Sequence, residues 1–263
     1  MLPRLEAYHR WWYAHRDHDG NKLCEFGATD GTLEAAAWES GMDNAVRFDH
    51  AHMVQNGPAA WSLDRESVDL NAYLALERHL IAKLAYVTGQ KPGLLDLGSA
   101  NLDTLVAHAF YDDSTGWFYD RMLGSHKLVR EMGCEGYLPL WTGIATQKQF
   151  NEACRWLSDT TKFNTYIPFP TLAADNPRYD PNGYWRGPIW LDQTYYAIAA
   201  LRRYGMTGAA DNCTRHVFDR LQGLTADAPI YENYDAHTGR PLQSANFGWS
   251  AAHLLLLYEE MGR

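Results

Sequence analysis

The amino-acid sequence predicts a mostly α-helical fold, an α/α toroid with one small β-hairpin, on three observations. Apolar residues recur at helical spacing through most of the 263 residues. No strand-helix-strand alternation, short-period repeat or Pro/Gly/Ser-rich linker interrupts them. The segments between the helical stretches are long and aromatic, as expected where a scaffold of helical hairpins carries its chemistry on connecting loops.

The elements follow in order. Leu2, Leu5, Tyr8, Trp12 and Tyr13 give a helix over 2–16 that ends at the polar run "RDHDGN". A longer helix spans 67–88, with Leu70, Tyr73, Leu74, Leu80, Leu84 and Ala85 on one face and Gly89 as its stop. A third is predicted over 98–110. "FYDDSTGWFYDRML" then places Asp-Ser-Thr-Gly between two aromatic runs, which is hairpin chemistry. Further helices are predicted over 137–144, 146–157, 189–204, 207–222 and 246–261. A full ring of six helical hairpins takes about twelve helices and on the order of 350 residues. About eight are predicted here, so the expectation is one domain over 1–263 that forms an incomplete barrel. Such a barrel exposes apolar helix faces, which implies self-association or a partner chain that completes it.

Composition narrows the function. The net charge is −9 and the isoelectric point about 5.6, with no basic cluster, which argues against nucleic acid or an acidic membrane as partner. No apolar run reaches the ~20 residues that span a bilayer. The first residues lack the apolar core and cleavage site of a signal peptide, so the chain as written is expected in the cytoplasm; a preceding segment with a signal would send it to the periplasm. Cys24, Cys134, Cys154 and Cys213 show no metal-binding spacing and read as free thiols. Ten Trp, 16 Tyr and 9 Phe make 13% of the chain, more than a core requires. Flat aromatic faces of this kind stack on the C–H surface of a pyranose.

Four loops could carry chemistry, three of them combining charge with these rings. In "DHDGNKLCE", Asp17, Asp19, Asn21 and Glu25 fall at alternate positions with the Leu23 carbonyl between them, a hard-oxygen pattern that suits Ca²⁺, with Glu66 as a distant closing carboxylate. Gly20 stands two positions early for an EF-hand, and the alternative is a solvated acidic turn. In "AAWESGMDN", Asp43 or Glu39 is a candidate general acid, desolvated by Trp38 and Met42. The alternative there is a helix N-terminus capped by Ser40 and Asp43. "NGYWRGPIWLDQTYY" mixes Tyr184, Trp185 and Trp190 with Arg186 and Asp192, and Pro188 suits the first turn of a helix. "PIYENYDAHTGRPLQSANFGWSAAH" sets Glu232 between Tyr231 and Tyr234, ahead of a Thr238-Gly239 turn.

In this order "WESGMDN", "YWRGPIWLDQ", "YENYDAHTG" and "ANFGWSAAHLLLLY" resemble the catalytic domain of glycoside hydrolase family 63, from the first helix to the C-terminus. The family holds processing and bacterial α-glucosidases and mannosylglycerate hydrolases, and the motifs look most like the bacterial α-glucosidases. The resemblance implies an (α/α)6 barrel and inverting hydrolysis of terminal α-linked glucose in oligosaccharides. It implies Asp43 as general acid and Glu232 as general base, with the two carboxyls roughly 6.5–9.5 Å apart. Trp38, Glu39, Tyr184, Trp185, Arg186 and Trp190 then line the sugar pocket, Arg186 orienting Glu232 or a hydroxyl. It also implies a calcium ion on Asp17, Asp19, Asn21, Leu23, Glu25 and Glu66. Relatives carry an N-terminal β-sandwich, earlier barrel helices and a long insertion after "GATDGTLEAAAWESG" that this chain lacks. Two other readings are a trehalase-like hydrolase, on "DPNGYWRGPIW", and a truncated remnant that binds carbohydrate or calcium without turnover.

Overall fold

A computed structural model describes residues 1–91, 93, 99–225 and 227–261. Nine α-helices stand among them: α1 (Leu2–His15), α2 (Leu33–Glu39), α3 (Val68–Val87), α4 (Ser99–Ala109), α5 (Leu138–Thr142), α6 (Gln147–Leu157), α7 (Leu191–Arg203), α8 (Thr207–Arg220) and α9 (Gly248–Glu260). The odd-numbered helices build one row, α1 against α3, α3 against α5, α5 against α7 and α7 against α9. Behind it α4 packs on α3 and α8 on α7. The pairs α3–α4 and α7–α8 thus send one helix into the row and return the second outside it, the arrangement of an α/α toroid.

Local chemistry explains the helix ends. At α6, Thr146 accepts a bond from the Gln149 N–H while the Gln149 side chain accepts from the Thr146 N–H, a capping box that satisfies two otherwise orphaned donors. The Thr32 hydroxyl accepts from the Ala35 N–H to start α2. Helix α3 stops at Thr88, and Gly89 follows at φ +67°, a left-handed conformation that costs glycine little.

Most helical expectations agree with these ranges to within a turn; residue 98 lies outside those described. The predicted hairpin is β5 (Tyr111–Asp112) with β6 (Trp117–Phe118). Sequence reasoning missed α2, which it read as loop, and eight further short strands. β1 (Gly27–Ala28), β3 (Ala60–Leu63) and β2 (Met53–Gly57) form one antiparallel sheet, and β4 (Arg65–Glu66), β7 (Asp120–Met122) and β8 (Leu128–Val129) another. β9 (Tyr231–Tyr234) pairs with β10 (Pro241–Ala245). Strands of two to five residues are too short for a period-2 pattern to emerge from the sequence.

One large core runs from Trp12 to Leu257 and absorbs many of the aromatic residues. Trp117 stacks on Phe163 with centroids 5.0 Å apart, and Phe150 on Tyr204 at 4.2 Å. The four cysteines are free, as expected. Among the described residues no helix is long and apolar enough to cross a membrane. Helix α9 is apolar around its circumference and leaves Leu255 58% and Tyr258 65% exposed.

Inside the core lies a charged knot. Arg47 is 2% exposed; its guanidinium donates to both oxygens of Asp69 at 2.8 and 2.7 Å and to Asp120 at 3.2 Å. Asp120 also accepts from the Val68 N–H at 2.9 Å and so caps α3. Nearby Glu135 is buried, and desolvation, against the opposing pull of Arg47, pushes its carboxyl up to about 8.

Two predictions follow from this knot. Arg47→Met leaves two buried carboxylates without their cation and should lower unfolding stability by ~3–5 kcal/mol in urea titration; an unchanged midpoint would count against it. Glu135 keeps its proton in the fold and loses it in the unfolded chain above its ordinary value of 4.5. Stability therefore declines as pH rises from about 4.5 to about 8. The drop in melting temperature between mildly acidic and mildly alkaline buffer should be smaller in Glu135→Gln, and equal drops in both proteins would contradict the assignment.

Candidate active site

Helix α2 ends at Ser40, whose hydroxyl donates back to the Ala37 carbonyl at 2.6 Å and accepts from the Met42 N–H at 3.0 Å. Ser40 and Asp43 therefore do not cap a following helix; the segment leaves α2 and turns through Gly41 at φ +75°. This turn presents Asp43, half-buried, and Asn44, which is exposed. The Asn44 amide donates to the Gly183 carbonyl at 3.0 Å and accepts from the Trp185 N–H at 3.0 Å. One side chain thus grips both neighbours of Tyr184, across about 140 residues of sequence.

Tyr184 adopts φ +65°, a strained conformation for a residue with a side chain. Its hydroxyl donates to Glu232 Oε1 at 2.7 Å. Burial first, and then the bond to Glu232, raise the Tyr184 phenol well above its usual range, so it stays a donor. Glu232 is 9% exposed; its second oxygen accepts from the Ser244 N–H at 3.3 Å, and its carbonyl accepts from the Ser250 hydroxyl at 2.9 Å. β9 is positioned by a bridge to the third loop, with mutual N–H to carbonyl bonds between Ile189 and Tyr234 of 2.7 and 3.0 Å. The Asp235 carboxylate closes the hairpin by accepting from His237 and Thr238 N–H, before Gly239 at φ +71°.

Three of the four loops therefore converge. Burial raises the Asp43 carboxyl above the usual carboxylate range, and the charge of Glu232 raises it further. The two carboxyls therefore lie close enough for the charge of one to act on the other. Asp43 faces a cavity of about 330 Å³ lined also by Asn44, Phe48, Asp49 and Arg186. Around Glu232 stands an aromatic wall: Trp185 stacks on Trp190 at 4.0 Å, Tyr184 meets Trp190 edge-on at 5.0 Å, and Trp249 lies 5.4 Å from Trp190. The Trp190 indole N–H donates to the Tyr184 carbonyl at 3.1 Å and fixes this cluster.

Three further expected pocket residues stand as follows. Arg186 lines the Asp43 cavity, and its guanidinium donates to both Asp49 oxygens at 2.6 and 2.9 Å and to the Asn44 carbonyl at 3.2 Å. Glu39 accepts two bonds from Arg16 at 2.8 and 2.7 Å and one from the Gly27 N–H at 2.6 Å, so it ties α2 to α1 and β1 and lines a neighbouring cavity. Trp38 is 58% exposed and lies outside the residues that line the Asp43 cavity. Sequence reasoning also missed Asn44 and Ser250. Both are small polar residues whose partners are distant in the chain, and no local signal marks them.

The Asp17 loop stands apart. Asp17 accepts from the Asn21 and Lys22 N–H groups at 3.0 Å, and Glu25 Oε2 accepts from the His18 N–H at 2.9 Å. The Asn21 amide donates to Asp19 Oδ2 at 3.0 Å and Glu66 Oε1 at 2.6 Å, and Arg121 pairs with the same Glu66 carboxylate. Glu25 Oε1 is buried with no hydrogen-bond partner among the described residues, and desolvation pushes Glu25 up to about 9. Among the described residues no three His, Cys, Asp or Glu side chains converge as a metal site. The oxygens are of the kind calcium takes, and Asn21 and Arg121 hold their hydrogens where these oxygens meet.

Comparison with known proteins agrees with this architecture. The mannosylglycerate hydrolase MGH1 of Selaginella moellendorffii is 27% identical over 306 aligned positions that cover 97% of this chain. The chain spans 59% of the length of that relative. Among solved structures, the GH63 mannosylglycerate hydrolase from Thermus thermophilus in complex with glucose superposes with a TM-score of 0.78 at 21% identity, over 98% of this chain and 68% of that one. The neutral trehalase Nth1 from Saccharomyces cerevisiae gives 0.67 at 17% identity, over 86% and 42%. These likenesses show the α/α-barrel fold. The mannosylglycerate hydrolase MGH1-like glycoside hydrolase domain matches residues 1–250. With its family 63 motifs gathered around Asp43 and Glu232, the chain belongs to this glycoside hydrolase family, within family 63.

Proposed function

We propose that this protein is an inverting glycosidase that hydrolyses an α-hexosyl glycoside, with Asp43 as general acid and Glu232 as general base. The observation that carries the reading is the pairing of the two carboxyls: Asp43 is raised by burial and by the charge of Glu232, while Glu232 accepts the Tyr184 hydroxyl at 2.7 Å. A protonated Asp43 gives its proton to the departing oxygen as the glycosidic bond breaks. Ionised Glu232 takes a proton from a water that attacks the anomeric carbon from the opposite face, and inversion follows. Tyr184 holds Glu232 in place, and the rings of Trp185 and Trp190 exclude bulk water. Asn44 fixes the Tyr184 backbone, and Arg186 supports it by binding Asp49 and the Asn44 carbonyl.

The names of the relatives favour a mannosylglycerate as the substrate. Terminal α-linked glucose in an oligosaccharide is the second reading, on the family 63 motifs, and trehalose a third, on the likeness to trehalase. We also propose that Asp17, Asp19, Asn21, Leu23, Glu25 and Glu66 hold a structural calcium ion. The unpartnered Glu25 Oε1 and the acidic surroundings support this.

Proton NMR of α-mannosyl-D-glycerate, nigerose, kojibiose and trehalose with the purified chain tests the activity. Release of a β-hexose before mutarotation is expected, and the substrate that yields it names the linkage; release of the α-anomer would overturn inversion. Asp43→Asn should lose ~10²–10⁴-fold in kcat on the natural glycoside but far less on the corresponding α-glycosyl fluoride, whose leaving group needs no proton. Glu232→Gln should lose both activities. Wild-type turnover by either variant would refute its assigned role. For the metal, EDTA should lower the melting temperature and added calcium restore it; a melt indifferent to both would favour a loop held by its own hydrogen bonds.

A further inference from the structure

Beside the two carboxyls lies a smaller cavity of about 120 Å³. It is walled by Gly41 and Met42, which lead to Asp43, and by Trp185 and Trp249, which adjoin Tyr184 and Ser250, two of the residues bonded to Glu232. Asp192 and Gln193, the second and third residues of α7, line it. Each is 3% exposed. The Gln193 amide nitrogen donates to Asp192 Oδ2 at 2.8 Å, which fixes the amide orientation and leaves Gln193 Oε1 as an acceptor. Gln193 Oε1 and Asp192 Oδ1 are both buried with no hydrogen-bond partner among the described residues.

Two adjacent buried acceptors without donors are costly unless something supplies hydrogens. The cavity holds about four waters at ~30 Å³ each, the space taken by one edge of a pyranose ring rather than by a whole disaccharide. Its remaining walls are mostly aromatic, with Ser40, Tyr73 and Tyr196 among them. A ligand that fits must bring two neighbouring donors on an otherwise C–H-rich body, which describes a pair of adjacent sugar hydroxyls.

Resting on the glycosidase reading above, we propose that Asp192 and Gln193 accept hydrogen bonds from two adjacent hydroxyls of the glycosyl ring and so select the sugar that reaches Asp43 and Glu232. The position suits a carboxylate, since the first-turn N–H groups of α7 favour negative charge. Burial pushes the Asp192 carboxyl up to about 6, against the opposing bond from the Gln193 amide. In either protonation state Oδ1 can accept a hydroxyl hydrogen.

The test uses wild type, Asp192→Asn and Gln193→Met with the α-hexosyl fluoride that the wild type hydrolyses, together with its 2-, 3-, 4- and 6-deoxy forms. On the wild type, loss of one or two adjacent hydroxyls should reduce kcat/KM by ~100-fold or more each. Asp192→Asn should lower kcat/KM on the parent fluoride by a similar factor, and the matching deoxy substrate should then lose less than about threefold further. Gln193→Met, which keeps Asp192, should show the same loss of penalty at the neighbouring hydroxyl, and decides the matter if Asp192→Asn melts at a much lower temperature. Deoxy penalties that are the same in wild type and variants would overturn the proposal while leaving the glycosidase reading intact. If the wild type turns over none of these fluorides, the glycosidase reading fails, and tryptophan fluorescence titrated with D-mannose and D-glucose decides the pocket. Binding at least about tenfold weaker in Asp192→Asn supports it; equal binding, or none by the wild type, overturns it.

Discussion

The segment that presents Asp43 depends on one buried cation. Arg47 sits four residues after Asp43, in a 3-10 turn over Val46–Phe48, and binds Asp69 at the start of α3 and Asp120 of β7. Its guanidinium also lies 4.5 Å over the Phe48 ring. Arg65 donates to the Arg47 and His50 carbonyls, so the backbone after Asp43 is held at two further points. Water cannot screen charges at this depth, and any one of these groups left alone would be strongly unfavourable. Three segments far apart in sequence must therefore meet in one arrangement, and the Asp43 turn is fixed as a result.

From that anchor the site is assembled by polar clamps rather than by the core. Asn44 joins the Asp43 turn to the Tyr184 loop, and the Ile189–Tyr234 bridge joins that loop to β9. Tyr184 then closes the circuit on Glu232. Its strained backbone is held from three sides, by Asn44, by the Trp190 indole and by the turn from Asp180 to Arg186. Strain of this kind persists where the surroundings over-determine a conformation, and it is found where a side chain must be aimed. The apolar row of helices supplies the frame, on which the turn after α2 presents Asp43 and β9 carries Glu232.

The aromatic excess divides between these two tasks. Trp117, Tyr137, Phe150 and Phe163 fill the core away from the site, whereas Trp185 and Trp190 belong to the same core and join Tyr184, Phe247 and Trp249 in one group where it meets the site. Composition counts both alike. Spacing does not separate them either, because the site aromatics lie in loops whose course depends on distant partners.

The sequence by itself determined the helical frame, the family and the two carboxyl positions. Helical periodicity, caps and stop glycines act within a few residues, and the motifs around Asp43, Tyr184 and Glu232 are contiguous. Only the tertiary structure decided which charged residues gather at the candidate site and which are paired within the scaffold. Glu39 and Arg186 look equivalent to Asp43 and Asp192 along the chain, yet Arg16 and Asp49 neutralise the first two, while Asp192 Oδ1 and Gln193 Oε1 stay without a hydrogen-bond partner among the described residues beside the site. Such pairings join residues more than twenty positions apart, and the free energy of a buried charge depends on what lies within a few ångströms of it, a distance the order of residues does not encode.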